Sequence, residues 1–283
     1  MNADSSVDLN KIEKINWGEP MKQIPAKLRM ITVVVLSFLM LSCAQQTKID
    51  QHPTTSLSKE IKEIHEGILE GYLSKEESPN SLKLVPPPPQ EGSAAFQLDQ
   101  EIAAKFVAFK DEARKEQATQ DAILAFPEAV DAFNIVLDEQ ISEEKTPHLY
   151  MILRRTLADA GLSTYAAKNH YQRARPFMVN NTPICTPDDE AALRKDGSYP
   201  SGHTAIGWAW ALILAEVFPD QADVILERGK QFGISRNVCN VHWHSDVVYG
   251  RMMGATAVAM LHSNTDFMVD LKVAKEEVLA LIN

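Results

Sequence analysis

Three short stretches of this chain gather residue types able to hold and transfer an oxyanion. The first is Lys168-Asn169-His170-Tyr171-Gln172-Arg173-Ala174-Arg175-Pro176. Lys168 and Arg175 are seven apart, two helical turns, so both can face one side. Pro176 ends that helix just after Arg175, freeing the guanidinium to turn inward. Arg173 falls some 200° round the helix from Arg175 and reads as a solvated charge. His170 is likewise off the Lys168 face and reads as an ordinary polar helix residue. Two cations on one face are costly if buried without a partner, so the pair itself hints at an anion between them.

The second stretch is Gly197-Ser198-Tyr199-Pro200-Ser201-Gly202-His203-Thr204, followed by the apolar run AIGWAWALILAEVF. Ser201, Gly202 and His203 therefore sit where a loop turns into a buried helix. There the first backbone N–H groups lack an intrahelical partner and carry the positive end of the macrodipole, which suits an anion. Gly202 lets an anion come close to the backbone, and His203 adds a proton donor. An N-cap Ser before a core helix accounts for the same pattern without any ligand.

In the third stretch, Ser235-Arg236-Asn237-Val238-Cys239-Asn240-Val241-His242-Trp243-His244-Ser245-Asp246, His242 and Asp246 are four apart, hence neighbours on a helix. A carboxylate on one imidazole nitrogen fixes the tautomer and leaves the other nitrogen basic and aimed, as a nucleophile or base requires. His244 points off that face and reads as structural.

The elements that must position these groups read as helices. Apolar residues recur at helical spacing through Phe96, Ile102, Phe106 and Phe109, then Val130, Phe133, Ile135 and Val136. A further helix is expected from Pro147 to Tyr171. Nothing after Gly92 reads as a strand, and the domain is expected to be all-α. With 283 residues and 45% hydrophobic content the chain can bury a sizeable core. Its net charge of −10 and lack of a basic stripe argue against nucleic acid as a partner. A small anionic ligand remains compatible, because a few converging cations set the local potential.

The N-terminal part is organised differently. Residues 1–43 read as an extension plus a signal peptide: Lys22, Lys27 and Arg29 precede the apolar run Met30 to Leu41, too short to span a bilayer. Leu41-Ser42-Cys43 resembles a lipoprotein processing site with Cys43 lipidated; an ordinary signal peptide cleaved nearby is the other reading. Export to the periplasm or beyond follows from either. Residues 44–83 read as a polar spacer, with one amphipathic helix near Ile61 to Leu73. The stiff Pro86-Pro87-Pro88-Pro89 opens the compact domain, taken as 84–283.

Taken in order, Lys-x6-Arg-Pro, Pro-Ser-Gly-His and Ser-Arg-x5-His-x3-Asp resemble the signature of the type 2 phosphatidic acid phosphatase superfamily. The longer GSYPSGHT and the VPPPPQEGSAAF entry are similar to the class A bacterial non-specific acid phosphatases. The resemblance covers roughly 84–283. It implies an all-helical bundle that hydrolyses phosphate monoesters of broad specificity without a metal or other cofactor, with phosphotransferase activity as a side reaction. It implies a nucleophile at His242 that becomes a phosphohistidine, a general acid at His203, and Asp246 orienting His242. Lys168, Arg175, Ser201, Gly202 and Arg236 would hold the phosphoryl oxygens, and vanadate would inhibit. Partners would be small phosphomonoesters, with the membrane reached only through a lipid on Cys43 and self-association left open. Neither a P-loop nor a carboxylate cluster for Mg²⁺ is evident.

Two other functions share these residues: a vanadate-dependent haloperoxidase, and a non-catalytic phosphate-binding lipoprotein. With Cys43 set aside, Cys185 and Cys239 remain as a pair in an exported chain. Cysteines at comparable places in the resembled family imply a Cys185–Cys239 disulfide; two buried free thiols are the alternative.

Overall fold

The computed structural model describes residues 54–282; the expected signal segment and Cys43 lie outside them. In chain order come a hairpin of β1 (Glu63–His65) and β2 (Ile68–Leu69), then α1 (Ser81–Leu84), α2 (Ala94–Val107), α3 (Glu112–Gln120) and α4 (Asp131–Asn134). They are followed by α5 (Pro147–Leu162), α6 (Tyr165–Tyr171), α7 (Pro176–Asn180), α8 (Glu190–Leu193), α9 (Gly202–Val217), α10 (Ala222–Val238), α11 (His244–Leu261) and α12 (Thr265–Ile282). The all-α expectation therefore holds, the two-stranded hairpin aside. Among the described residues no helix is long and apolar enough to cross a membrane.

The apolar run after His203 becomes α9, hydrophobic nearly all round, and such a helix belongs at a centre. It packs against α5, α10, α11 and, more lightly, α12. Trp210, Ile213 and Leu214 of α9 meet Leu149, Ile152 and Leu153 of α5 and Leu261 and Phe267 from the C-terminal helices, all essentially buried. Trp210 donates its indole N–H to the Leu153 carbonyl at 3.0 Å, so its one polar atom is satisfied inside the core. The α9 N-terminus is thereby fixed over the start of α11. Gly250 makes this approach feasible, because a Cβ there would lie 2.5 Å from the Ser201 carbonyl oxygen.

Two expectations are corrected. The helix from Pro147 to Tyr171 is broken at Ser163 and Thr164, whose hydroxyls donate to the carbonyls of Ala160 (2.6 Å) and Gly161 (2.7 Å). Such local bonds compete with the helical ladder. The segment read as a spacer with a helix near 61–73 is a hairpin turning at Gly67, whose φ of +75° suits glycine. From Thr54 onward it is part of the compact body. Tyr72 is buried and donates its hydroxyl to Asp270 at 2.7 Å. Asp159 accepts from the backbone N–H of Tyr72 and Leu73, both at 2.9 Å.

Cys185 and Cys239 form a disulfide with Cα atoms 4.8 Å apart. It ties the loop leading to the central motif to the C-terminal end of α10, next to Arg236. Replacing both cysteines by serine should lower stability by about 4 kcal/mol, the chain-entropy value for a loop of this size. Urea unfolding of oxidised wild type and the double variant checks this, and coincident midpoints would contradict it.

Candidate active site

Lys168 and Arg175 do meet, but not as two turns of one helix. The helix α6 stops at Tyr171, Gln172 takes a left-handed φ of 43°, and Arg175 is the extended residue before Pro176, the first residue of α7. The chain reversal brings both side chains to Asp196 Oδ2, each at 3.0 Å. Lys168 also donates to the Gly197 carbonyl at 2.6 Å, and Arg175 Nε to Leu193 O at 3.0 Å. Both cations are buried. Burial lowers the Lys168 ammonium to about 8, with the neighbouring Arg175 adding to the effect. The anion that the sequence implied between them is here a carboxylate of the chain itself.

The N-terminus of α9 lies beside this pair. Ser201 is the N-cap: its hydroxyl accepts from Thr204 N at 3.3 Å and from the Thr204 hydroxyl at 2.9 Å. Accepting twice leaves the Ser201 O–H as a donor. Gly202 begins the helix, and a Cβ there would lie 3.9 Å from Lys168 Cε. His203 Nε2 lies 3.1 Å from the Ala122 carbonyl oxygen. A carbonyl only accepts, so Nε2 carries a proton and Nδ1 is the nitrogen left to take a second.

The third stretch also assembles differently from its helical reading. The helix α11 begins at His244, so His242 stands just outside it. Asp246 reaches back over the helix start, its Oδ2 accepting from Trp243 N at 2.8 Å and lying 3.3 Å from His242 Nδ1. On the other side of the ring, Arg175 Nη1 is 3.0 Å from His242 Nε2. A guanidinium can only donate, so Nε2 presents its lone pair and Nδ1 holds the proton facing Asp246. Burial, with Arg175, Lys168 and Arg236 close by, pushes His242 well below the usual imidazole range. His203 is depressed too, by burial first and then by Arg236. The neutral form of both imidazoles is thus favoured in the free protein.

Arg236, at the end of α10, is buried, and its Nε and Nη1 find no hydrogen-bond partner among the described residues. Burial and Arg175 pull its guanidinium down to about 10. A buried, unsatisfied cation is expensive unless an anion completes it.

Arg173 is the clear miss. Its side chain is only 9% exposed. One nitrogen donates to Asp246 Oδ1 and another to Asp99 Oδ2, both at 2.7 Å. Asp99 in turn accepts from Ser245 N at 2.7 Å. Burial raises the Asp246 carboxyl above its usual range, and Arg173 is the principal group opposing that rise. Asp196 and Asp99, likewise absent from the expected set, complete the charge pattern. His170 is exposed, as read.

Lys168, Arg175, Asp196, Gly202, His203 and His242 line one cavity. Ser201 and Arg236, both buried, are not among its lining residues. The result is a buried concentration of positive charge around a lone pair on His242 Nε2, a setting for attack on an electrophilic anion.

Residues 149–267 match the family model described as PAP2 superfamily. A non-specific acid phosphatase of Providencia stuartii is 44% identical over 207 residues, 73% of this chain and 84% of that one. The non-specific acid phosphatase of Salmonella typhimurium is 40% identical over 207 residues, 73% and 83% of the two chains. An acid phosphatase of Zymomonas mobilis is 40% identical over 196 residues, 69% and 74%. The chain belongs to the class A bacterial non-specific acid phosphatases of the PAP2 superfamily. In the phosphatase the family match begins inside α5 and ends at the start of α12, so it spans every residue of the three stretches.

Proposed function

We propose that this phosphatase hydrolyses phosphate monoesters through a phosphohistidine on His242. The observation that carries the reading is the tautomer: Arg175 holds Nε2 as an acceptor at 3.0 Å while Asp246 faces Nδ1. In the first step the Nε2 lone pair of His242 bonds to phosphorus, the ester P–O bond breaks, and His203, protonated on both ring nitrogens once the anionic substrate is bound, gives its Nδ1 proton to the leaving oxygen. In the second, water attacks phosphorus, the P–N bond breaks, and the neutral His203 takes the water's proton. An alcohol in place of water gives phosphotransfer. Lys168, Arg175, Arg236, the Ser201 hydroxyl and the α9 N-terminus at Gly202 compensate the charge on the phosphoryl oxygens. The unsatisfied Arg236 guanidinium supports that assignment. This scheme supplies the compensating charge from side chains and uses no cofactor, and vanadate is expected to inhibit by occupying the same donors.

Lys22, Lys27 and Arg29 followed by the apolar run Met30 to Leu41 support export, and the Cys185–Cys239 disulfide fits an oxidising compartment. We place the enzyme in the periplasm or outside the cell, with a lipid on Cys43 as its membrane anchor.

His203 gives the test of the acid step. A bound phosphoryl dianion favours its charged form and raises its pKa from the depressed value of the free protein. The basic limb of kcat should therefore lie at higher pH than that of kcat/KM. His203→Ala should cost roughly 10²–10⁴-fold on an alkyl phosphate, whose alkoxide needs a proton, and clearly less on p-nitrophenyl phosphate. Equal losses on the two esters would remove His203 from the acid role.

A further inference from the structure

The cavity holding the phosphoryl-binding groups is larger than a phosphoryl group needs. Its volume is about 410 Å³, within the roughly 300–1,000 Å³ of pockets that take organic ligands. Away from the cations its lining is apolar: Leu157, Leu162 and Tyr165 around the α5–α6 junction, Leu124, and Ile64 and Ile68 from the hairpin. Three of these are well exposed, Ile64 at 43%, Leu162 at 53% and Tyr165 at 43%. Single exposed apolar residues are ordinary. Exposed apolar groups from two separate segments lining one catalytic cavity form a shared surface that favours an apolar occupant.

The hairpin is held in place rather than draped there. Arg155, on α5, donates to the carbonyls of Gly71 at 2.6 Å and Glu70 at 3.2 Å. One turn later Asp159 accepts from Tyr72 N and Leu73 N. Burial raises the Asp159 carboxyl to about 6, so it binds a proton in the folded state more readily than in the unfolded chain. By linkage its burial favours folding at acid pH, a contribution lost as pH rises through 6, while the two backbone N–H bonds favour the ionised carboxylate. Polar groups on the apolar side of the cavity are few, namely His65 and the Tyr165 hydroxyl. A polyhydroxylated ester would leave hydroxyls there without partners, which is costly.

We propose that the hairpin Glu63–Leu69 and the α5–α6 junction form a subsite for the organic part of the substrate. The phosphatase would then favour phosphomonoesters carrying an apolar, ring-sized group over polyhydroxylated ones. Ile64 and Ile68 are its specificity-determining residues. The inference rests on the phosphatase reading of the site.

The test compares kcat/KM for 2-phenylethyl phosphate and glycerol 3-phosphate, both esters of basic alcohols, so that leaving-group chemistry is matched. Wild type should prefer the phenylethyl ester. Ile64→Ser with Ile68→Ser should lower its kcat/KM by about tenfold or more, mainly through KM, the scale of a lost apolar contact surface. The glycerol ester should change by less than about twofold, and competitive inhibition by inorganic phosphate should stay as in wild type. Ile64→Ser alone, at an exposed position, should show the same selectivity on a smaller scale and guards against misfolding of the double variant. Equal changes on both esters, no change on either, or a wild type active on both without preference would overturn the subsite alone. A wild type inactive on both would overturn the phosphatase reading and the subsite with it.

Discussion

His242→Ala is expected to lower kcat by about 10⁴-fold or more on every phosphomonoester, the scale on which removal of a nucleophile acts. The variant keeps Lys168, Arg175, Arg236 and the α9 N-terminus, so inorganic phosphate should still bind, and thermal unfolding should show phosphate-dependent stabilisation. The combination of lost turnover and retained binding separates a missing nucleophile from a damaged pocket. Removing the imidazole also takes away a neutral acceptor from Arg175 Nη1, which keeps its bond to Val241 O at 3.0 Å, so the guanidinium remains anchored. Turnover above about one per cent of wild type would show that another group attacks phosphorus.

Arg173→Ala should lower stability on the same scale as loss of the disulfide. It leaves the Asp99 and Asp246 carboxylates buried without their shared cation, a kind of loss that typically costs about 3–5 kcal/mol. The sign of its pH dependence follows from Asp246. Burial already raises that carboxyl, with Arg173 the first group opposing the rise, so the variant's Asp246 moves higher still. A carboxyl with a raised folded-state pKa binds protons more readily when folded, so its stabilising contribution is present in acid and lost as pH rises. The destabilisation should therefore be smaller near pH 4 than near pH 7, in denaturant unfolding at both pH values. Catalysis should fall as well, because a protonated Asp246 no longer stabilises the charge on His242. Arg173→Lys, keeping one cation, should recover part of both. A variant as stable as wild type at pH 7 would contradict the role given to this ion pair.

The site was legible where chemistry is written in short segments. Ser201 caps α9 where Pro200 and Gly202 place the loop-to-helix junction, and His203 follows at its first turn. The two main pairings were anticipated with different geometry. Lys168 and Arg175 converge through the turn at Gln172, and Asp246 meets His242 by capping α11 rather than along a shared helical face. Arg173 was misjudged by the same step. A helical angle has no meaning for Arg173, because α6 ends at Tyr171 and Pro176 marks Arg175 as a residue outside a helix. Asp99 lies 74 positions from Arg173 and Asp196 28 positions from Lys168. No local spacing connects such residues; only the packing of helices does.

The segment from Thr54 to Leu73 was hidden for a related reason. Its polar composition reads as a spacer, yet its role comes from a few contacts. Ser56 and Tyr72 engage Asp270, while Arg155 and Asp159 hold the backbone around Gly71. Those partners sit on α5 and α12, far along the chain, so hydrophobic periodicity carries no trace of them.

The most direct measurement of the central claim is to mix wild-type enzyme with a ³²P-labelled phosphomonoester, quench within one turnover, and locate the label by peptide mapping under alkaline conditions. The account predicts an acid-labile, alkali-stable phosphoryl group on His242, formed and lost at rates consistent with kcat and absent from His242→Ala. Label on any other residue, or label retained in that variant, would contradict it.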